Sequence, residues 1–313
     1  MGKIDTKAIV MGVMFGIMWA SAFTSARVIV QYAPPLYALA IRFLLSGLFG
    51  VLLARLMGQS WHLTRRQWVA VVVFGVSQNA LYLGLNFIAM QTIEASLAAI
   101  VASTMPLLVG ISSWIVFGEK IRPLGIAGLF AGLVGVALIM GARLQGAVDL
   151  YGLGLCVIAV LSLTVATLSV RGASSGGNFL MIVGLQMLVG SAMLWIPALV
   201  FESFDVTWTW QLGVAFTYTV IVPGLGATLI WFYLVDRIGA TPAAVFHFLT
   251  PFFGVMIAAV LLGEQLGSMD VVGVLIITGG ILAVQLSKQR PSRSCHAHHP
   301  SDRDPAGCDQ ESQ

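Results

Sequence analysis

Ten apolar runs, each about twenty residues long, occupy most of this chain and leave few folds open to it. They lie near residues 8–29, 35–57, 67–89, 94–117, 123–142, 150–171, 178–201, 210–235, 240–262 and 269–287. A helix of that length crosses the roughly 30 Å hydrocarbon core of a bilayer. Lipid offers the backbone no hydrogen-bond partner, so a spanning segment is either a helix or a strand of a closed barrel. These runs are too long and too unalternating for barrel strands. Composition agrees: 58% of residues are hydrophobic and 9% charged, against about 25% charged in a soluble domain. The sequence predicts an all-α integral membrane protein of ten transmembrane helices.

The charges predict how it sits. With the N-terminus inside, the cytoplasmic segments carry Lys3, Lys7, Arg55, Arg65, Arg66, Lys120, Arg122, Arg171, Arg237, Lys288 and Arg290. At the other face fall Arg27 and Arg143, beside Glu94, Asp149, Glu202, Asp205, Glu264 and Asp270. Lys and Arg concentrate in cytoplasmic loops, so both termini are placed in the cytoplasm. The net charge of +3 then reflects topology and gives no reason to expect a nucleic-acid partner. The first run is long and lacks a small-residue cleavage site, so it reads as a retained helix, not a signal peptide.

The chain also repeats itself. A shift of 145 positions carries Ala95, Ala98, Ala99, Pro106, Gly118, Glu119, Gly128 and Gly135 onto Ala240, Ala243, Ala244, Pro251, Gly263, Glu264, Gly273 and Gly280. Five helices per half is an odd number, so equivalent loops must lie on opposite faces. The loop Gly118-Glu119-Lys120-Ile121-Arg122 is basic, and its counterpart Gly263-Glu264-Gln265-Leu266-Gly267 has lost both cations. Two inverted five-helix repeats follow, residues 1–143 and 144–290, with a polar tail at 291–313. Inverted repeats are how many carriers build one site reachable from either side.

Within this frame, Trp19-Ala20-Ser21-Ala22-Phe23 in the first helix, Ala40-Ile41-Arg42-Phe43 in the second, and the Pro-to-Gly-Glu spacing in helices four and nine resemble the drug/metabolite transporter superfamily. The similarity is to its ten-helix EamA-type branch of bacterial metabolite exporters, and it covers about residues 8–287. The resemblance implies an alternating-access carrier in the bacterial cytoplasmic (inner) membrane, a functional monomer whose partners are a small-molecule substrate and membrane lipid. Several members export amino acids, aromatic ones included.

The interior narrows the cargo. Every Asp and Glu lies near a helix end, in a loop or in the tail, so no mid-membrane carboxylate offers itself as a proton carrier. The expected cargo is a small neutral or zwitterionic metabolite with an aromatic or aliphatic body, moved by facilitated diffusion. The alternative is a broader drug or metabolite exporter coupled to protons. An intramembrane enzyme would need a constellation such as His-Glu-x-x-His, which is absent. No cofactor is expected. Cys295, His296, His298, His299 and Cys308 in the tail offer metal-ligand types, but a solvated tail explains them without a metal.

Six residues form the expected substrate-contact set. Asn79, Tyr82 and Asn86 are spaced by three and four and share one face of an ideal helix; the competing reading is hydrogen-bonded packing between helices. Trp19 lies midway along the first helix, and Trp231 falls on Asn86 under the 145 shift, so both are placed against the cavity, where stacking suits aromatic cargo. His247 lies four residues before Pro251, where a carrier could use an imidazole to bind a substrate carboxylate or to take up a proton; the competing reading pairs it with a carbonyl freed by the proline. Pro106, Pro223 and Pro251 are expected kink or gating points. Arg42 is near enough to the outer end of its helix to snorkel and is assigned to a structural ion pair with Glu94, with cargo contact as the alternative. Gly125, Gly128, Gly132 and Gly135 form a stripe suited to close helix packing.

Overall fold

A computed structural model of the protein describes residues 6–118, 123–144, 149–169, 177–238, 246 and 249–288. The described elements are all helical. Helix α1 (Thr6–Val30) turns back into α2 (Pro35–Leu56), and α3 (Arg65–Phe74) passes through a π-helical segment (Gly75–Tyr82) into α4 (Leu83–Ala89). Then come α5 (Ala95–Ser103), α6 (Met105–Phe117), α7 (Pro123–Leu144), α8 (Leu150–Ser169) and α9 (Phe179–Phe201). Helix α10 (Trp210–Thr219) runs through a second π segment (Val220–Gly226) into α11 (Ala227–Ile238), followed by α12 (Thr250–Leu262) and α13 (Ser268–Lys288).

Among the described residues, seven helical stretches are long and apolar enough to cross a membrane: 6–30, 35–56, 65–89, 95–116, 150–169, 179–201 and 210–231. Three shorter apolar helices accompany them, Pro123–Ile139, Thr250–Leu262 and Ser268–Ala283. Local chemistry explains the ends. Pro35 opens α2, where a missing N–H costs nothing. Thr64 and Gln67 cap α3 reciprocally. Gly118 and Gly263 adopt φ of 63° and 68°, and each donates its N–H to a carbonyl four residues back, Trp114 O and Ala259 O, at 3.1 Å. The glycine of the repeated Gly-Glu pair is therefore a left-handed helix stop, a conformation that a side chain resists.

Two helix pairs pack most extensively, α2 with α9 and α7 with α13. Lipid supplies no hydrophobic drive between helices, so contact rests on close approach of small residues. A Cβ on Gly135 would lie 2.9 Å from Gly273 O, and one on Gly280 would lie 2.6 Å from Gly128 O. The glycine stripe is a packing seam. In α2 and α9, Gly47 and Gly184 approach in the same way, each within 3.1 Å of the other's carbonyl if a Cβ were added.

The first helix of each half lies among helices of the other. Helix α1 packs against α10, α11 and α12, while α8 packs against the π segment at 75–82, α4 and α6. Helices α5 and α12 cross closely, since a Cβ on Gly254 would stand 2.7 Å from that of Ala99. The two π segments begin at Gly75 and Val220, 145 positions apart, which is the offset of the sequence repeat.

Candidate functional site

The π segment at 75–82 decides what the polar residues of the third span do. A π turn holds more residues than an α turn, so it rotates everything beyond it relative to an unbroken helix. Asn79 turns toward α9 and donates its Nδ2 to Gln186 O at 2.9 Å. Gly190 makes room, as a Cβ there would collide with that of Asn79 at 2.3 Å. Asn86 turns toward α8, accepting from Cys156 Sγ at 3.5 Å while its Nδ2 donates to Tyr82 O at 2.8 Å. The Tyr82 ring packs with Ala159 and Leu163. All three side chains are buried. The single polar face expected from α-helical spacing is thus divided between two neighbours, and both asparagines have hydrogen-bond partners within the bundle.

The aromatic residues behave differently. Phe15 stands between Trp19 and Trp231, with ring centroids 5.8 Å and 4.9 Å away and tilted planes. Phe15 is fully buried, whereas Trp19 and Trp231 keep part of their surface accessible. The structure therefore brings together two of the expected residues, from spans that are more than 200 positions apart in sequence, through a third that sequence reasoning passed over. Two residues beyond Trp19 in α1, Ser21 Oγ and Tyr218 Oη lie 2.7 Å apart, and Ser21 also donates to Met18 O at 2.7 Å. Neither partner stood out by spacing, because a serine and a tyrosine 197 positions apart show their relation only once the helices pack.

An open groove of about 570 Å³ runs along α10, lined by Trp210, Gly213, Val214, Thr217 and Tyr218. None of the six expected contact residues lines it. His247 lies outside the described residues. Among the described residues no group of three His, Cys, Asp or Glu side chains is placed to hold a metal.

The three prolines sit where the helical ladder changes. Position 106 is the second residue of α6, directly after the break at Thr104. Proline has no N–H to donate, and the ladder restarts from Thr104 O, which accepts from Leu107 N and Leu108 N at 2.9 Å and 3.2 Å. Pro223 lies inside the second π segment, and Pro251 in the first turn of α12.

The ionisable residues near the end that carries the α1–α2 turn are mostly engaged. Arg27 donates to Met90 O. Glu202 accepts from Leu36 N at 3.0 Å and Tyr37 N at 3.1 Å, and Glu264 from Ala95 N at 2.8 Å and Ser96 N at 3.0 Å. Both glutamates belong to the second half and close helix N-termini in the first, where donors lack intrahelical acceptors and negative charge is favoured. Asp149 accepts from Thr92 Oγ1 at 2.6 Å and Gly152 N at 3.1 Å. The Thr92 hydroxyl, followed by the backbone donors, holds its carboxyl below the usual range. Arg42 lies deeper. It is buried, its guanidinium carbon lies 5.1 Å from the Phe43 ring centroid, and its Nε has no hydrogen-bond partner.

The model of the EamA-like transporter family matches the chain twice, over residues 6–141 and 150–286. The "Uncharacterized transporter YvbV" of Bacillus subtilis (strain 168) is 28% identical over 86% of this chain and 88% of its own length. The "Uncharacterized inner membrane transporter YedA" of Escherichia coli (strain K12) is 26% identical over 87% of this chain and 88% of its own. The chloroplastic WAT1-related protein At3g02690 of Arabidopsis thaliana is 23% identical over 85% and 66%. A solved crystal structure aligns with a TM-score of 0.66 at 19% identity, covering 90% of this chain and 98% of that one; it shows a shared fold.

Proposed function

Since the chain belongs to the EamA-like transporter family of multi-pass membrane proteins, we propose that it exports small neutral or zwitterionic metabolites, amino acids with aromatic side chains foremost. In this reading it has ten transmembrane helices in two inverted five-helix repeats, works by alternating access and resides in the bacterial inner membrane. The matched left-handed stops at Gly118 and Gly263, and the two π segments 145 positions apart, support the repeat. So does the glycine seam, where 128 meets 280 and 135 meets 273: the same pair of repeat positions meets head to tail, as an antiparallel two-fold requires.

The observation that carries the cargo assignment is the Trp19–Phe15–Trp231 cluster. It joins one span from each half and leaves both indoles partly accessible, so a ring bound there would touch both halves. Stacking of this kind contributes about 0.5–1.5 kcal/mol per pair beyond area. The described spans carry no mid-membrane carboxylate, and transport is assigned as facilitative. His247 stays in the proposed contact set as the ionisable group of the ninth span. Asn79, Tyr82 and Asn86 belong to it in the state where the helices separate.

The test is uptake into liposomes holding the purified protein. The panel is phenylalanine, tryptophan, alanine, lysine and a dicationic drug, each with and without a pH gradient. Saturable aromatic uptake indifferent to the gradient is the expected result. Gradient-driven uptake of the dication with no amino-acid transport would overturn the proposal.

A further inference from the structure

Arg42 combines two properties that rarely occur together inside a membrane. It is 6% exposed, and its Nε lacks an acceptor. A guanidinium stays charged at neutral pH, and a buried charge without a counter-charge is strongly unfavourable unless something else supplies one. Intramembrane cations are accordingly functional candidates. Three carboxylates at the same end are engaged elsewhere: Glu202 on α2, Glu264 on α5 and Asp149 on Thr92.

The surroundings repeat the pattern. Ser46 lies one turn further along the same face of α2, is 1% exposed, and its Oγ has no partner. It lies against the second π segment, where a Cβ on Gly224 would be 3.5 Å from Ser46 Oγ. Thr24 of α1 is buried with an unpartnered Oγ1. It sits six residues before the end of α1, and Arg42 seven after the start of α2, so both occupy the same depth.

We infer that Arg42 and Ser46 form a buried anion site that takes the carboxylate of the cargo. The unpartnered Nε of Arg42 and the unpartnered hydroxyl of Ser46 offer two donors to a carboxylate, one of them charged. A phosphate dianion calls for more positive charge, and the other described basic residues lie at helix ends. This inference rests on the proposed transport of carboxylate-bearing metabolites.

The experiment is thermal stability of the purified protein titrated with benzoate, and with benzamide as the uncharged control, in wild type, R42K, R42Q and S46A. Benzoate should raise the melting temperature of the wild type saturably while benzamide does not. R42Q should lose the benzoate shift, S46A should need about tenfold more benzoate, and R42K should fall between. R42K and S46A keep the comparison open if R42Q does not fold. Absence of a benzoate shift in the wild type, or equal benzoate titrations in wild type and the Arg42 and Ser46 variants, would sink the anion site. Phenylalanine uptake separates the two readings: an Arg42-dependent benzoate shift without amino-acid uptake keeps the anion site and rejects the cargo, and uptake without that shift does the reverse.

Discussion

The carboxylate of Glu264 accepts the backbone N–H of Ala95 at 2.8 Å, so a loop from the second half of the chain closes the first turn of a helix in the first half. The same carboxylate reaches Ser96 N at 3.0 Å. The contact joins the Gly-Glu pair that follows α12 to the start of α5, two helices that cross at Ala99 and Gly254.

Loss of this cap should be felt as stability. Substituting a capping side chain by alanine costs about 0.5–2 kcal/mol, and charge-assisted bonds lie toward the upper end. E264A is expected to lower the melting temperature of the purified protein in detergent. E264Q, which keeps an acceptor oxygen, should lower it less. Equal melting of E264A and wild type would mean the contact contributes nothing.

The glycine seam makes a sharper prediction. A Cβ at Gly280 would stand 2.6 Å from Gly128 O and 2.8 Å from Gly132 N, both backbone atoms that cannot swing aside. Overpacking of this sort costs about 1–3 kcal/mol. G280V should reduce the yield of monodisperse protein by size-exclusion chromatography, whereas G154A, where a Cβ meets nothing within 4 Å, should not.

Asn79 and Trp231 should separate polar from aromatic contact. Asn79→Ala removes one hydrogen bond between spans, worth about 0.6 kcal/mol, and should shift melting slightly and weaken aromatic and aliphatic uptake alike. Trp231→Ala removes a stacking surface and should weaken aromatic uptake about tenfold, the factor that corresponds to 1.4 kcal/mol, while alanine uptake changes little. Concentration-dependent uptake measured on both variants checks this. Equal loss of aromatic and aliphatic transport in Trp231→Ala would remove the stacking role.

At Asp149 the pH dependence has a definite sign. Its hydrogen bonds, that from Thr92 first, lower the folded-state carboxyl below its ordinary value. A group depressed on folding stabilises the protein above its unfolded pKa, near 3.9, and that contribution is lost as pH falls through the folded value. Melting curves between pH 7 and pH 3 should therefore show a smaller acid-side decline in T92V than in wild type. Parallel curves would contradict the coupling.

The positions of the helices were legible in the sequence because lipid removes the alternatives. Each apolar run near twenty residues has to satisfy its own backbone, and the described helices follow those runs closely. The 145-residue offset, the repeated helix stops at Gly118 and Gly263 and the packing stripe at Gly128, Gly132 and Gly135 could likewise be read in one dimension, since each depends on local backbone geometry or on spacing along one helix. The facing of the polar residues could not. Asn79 and Asn86 share a face in an ideal helix, but the π segment between Phe74 and Leu83 rotates them toward different neighbours. Arg42 is basic and near a helix end in sequence; that it lies buried over Phe43, beside an unpartnered Ser46, depends on which helices surround α2. The association of Phe15, Trp19 and Trp231, and that of Ser21 with Tyr218, arise in the same way. Sequence determines which segments span and where they stop, because those are properties of a segment and its solvent. Tertiary packing determines which side chains meet, because small rotations of each helix, set by glycine contacts and π turns, redirect every group they carry.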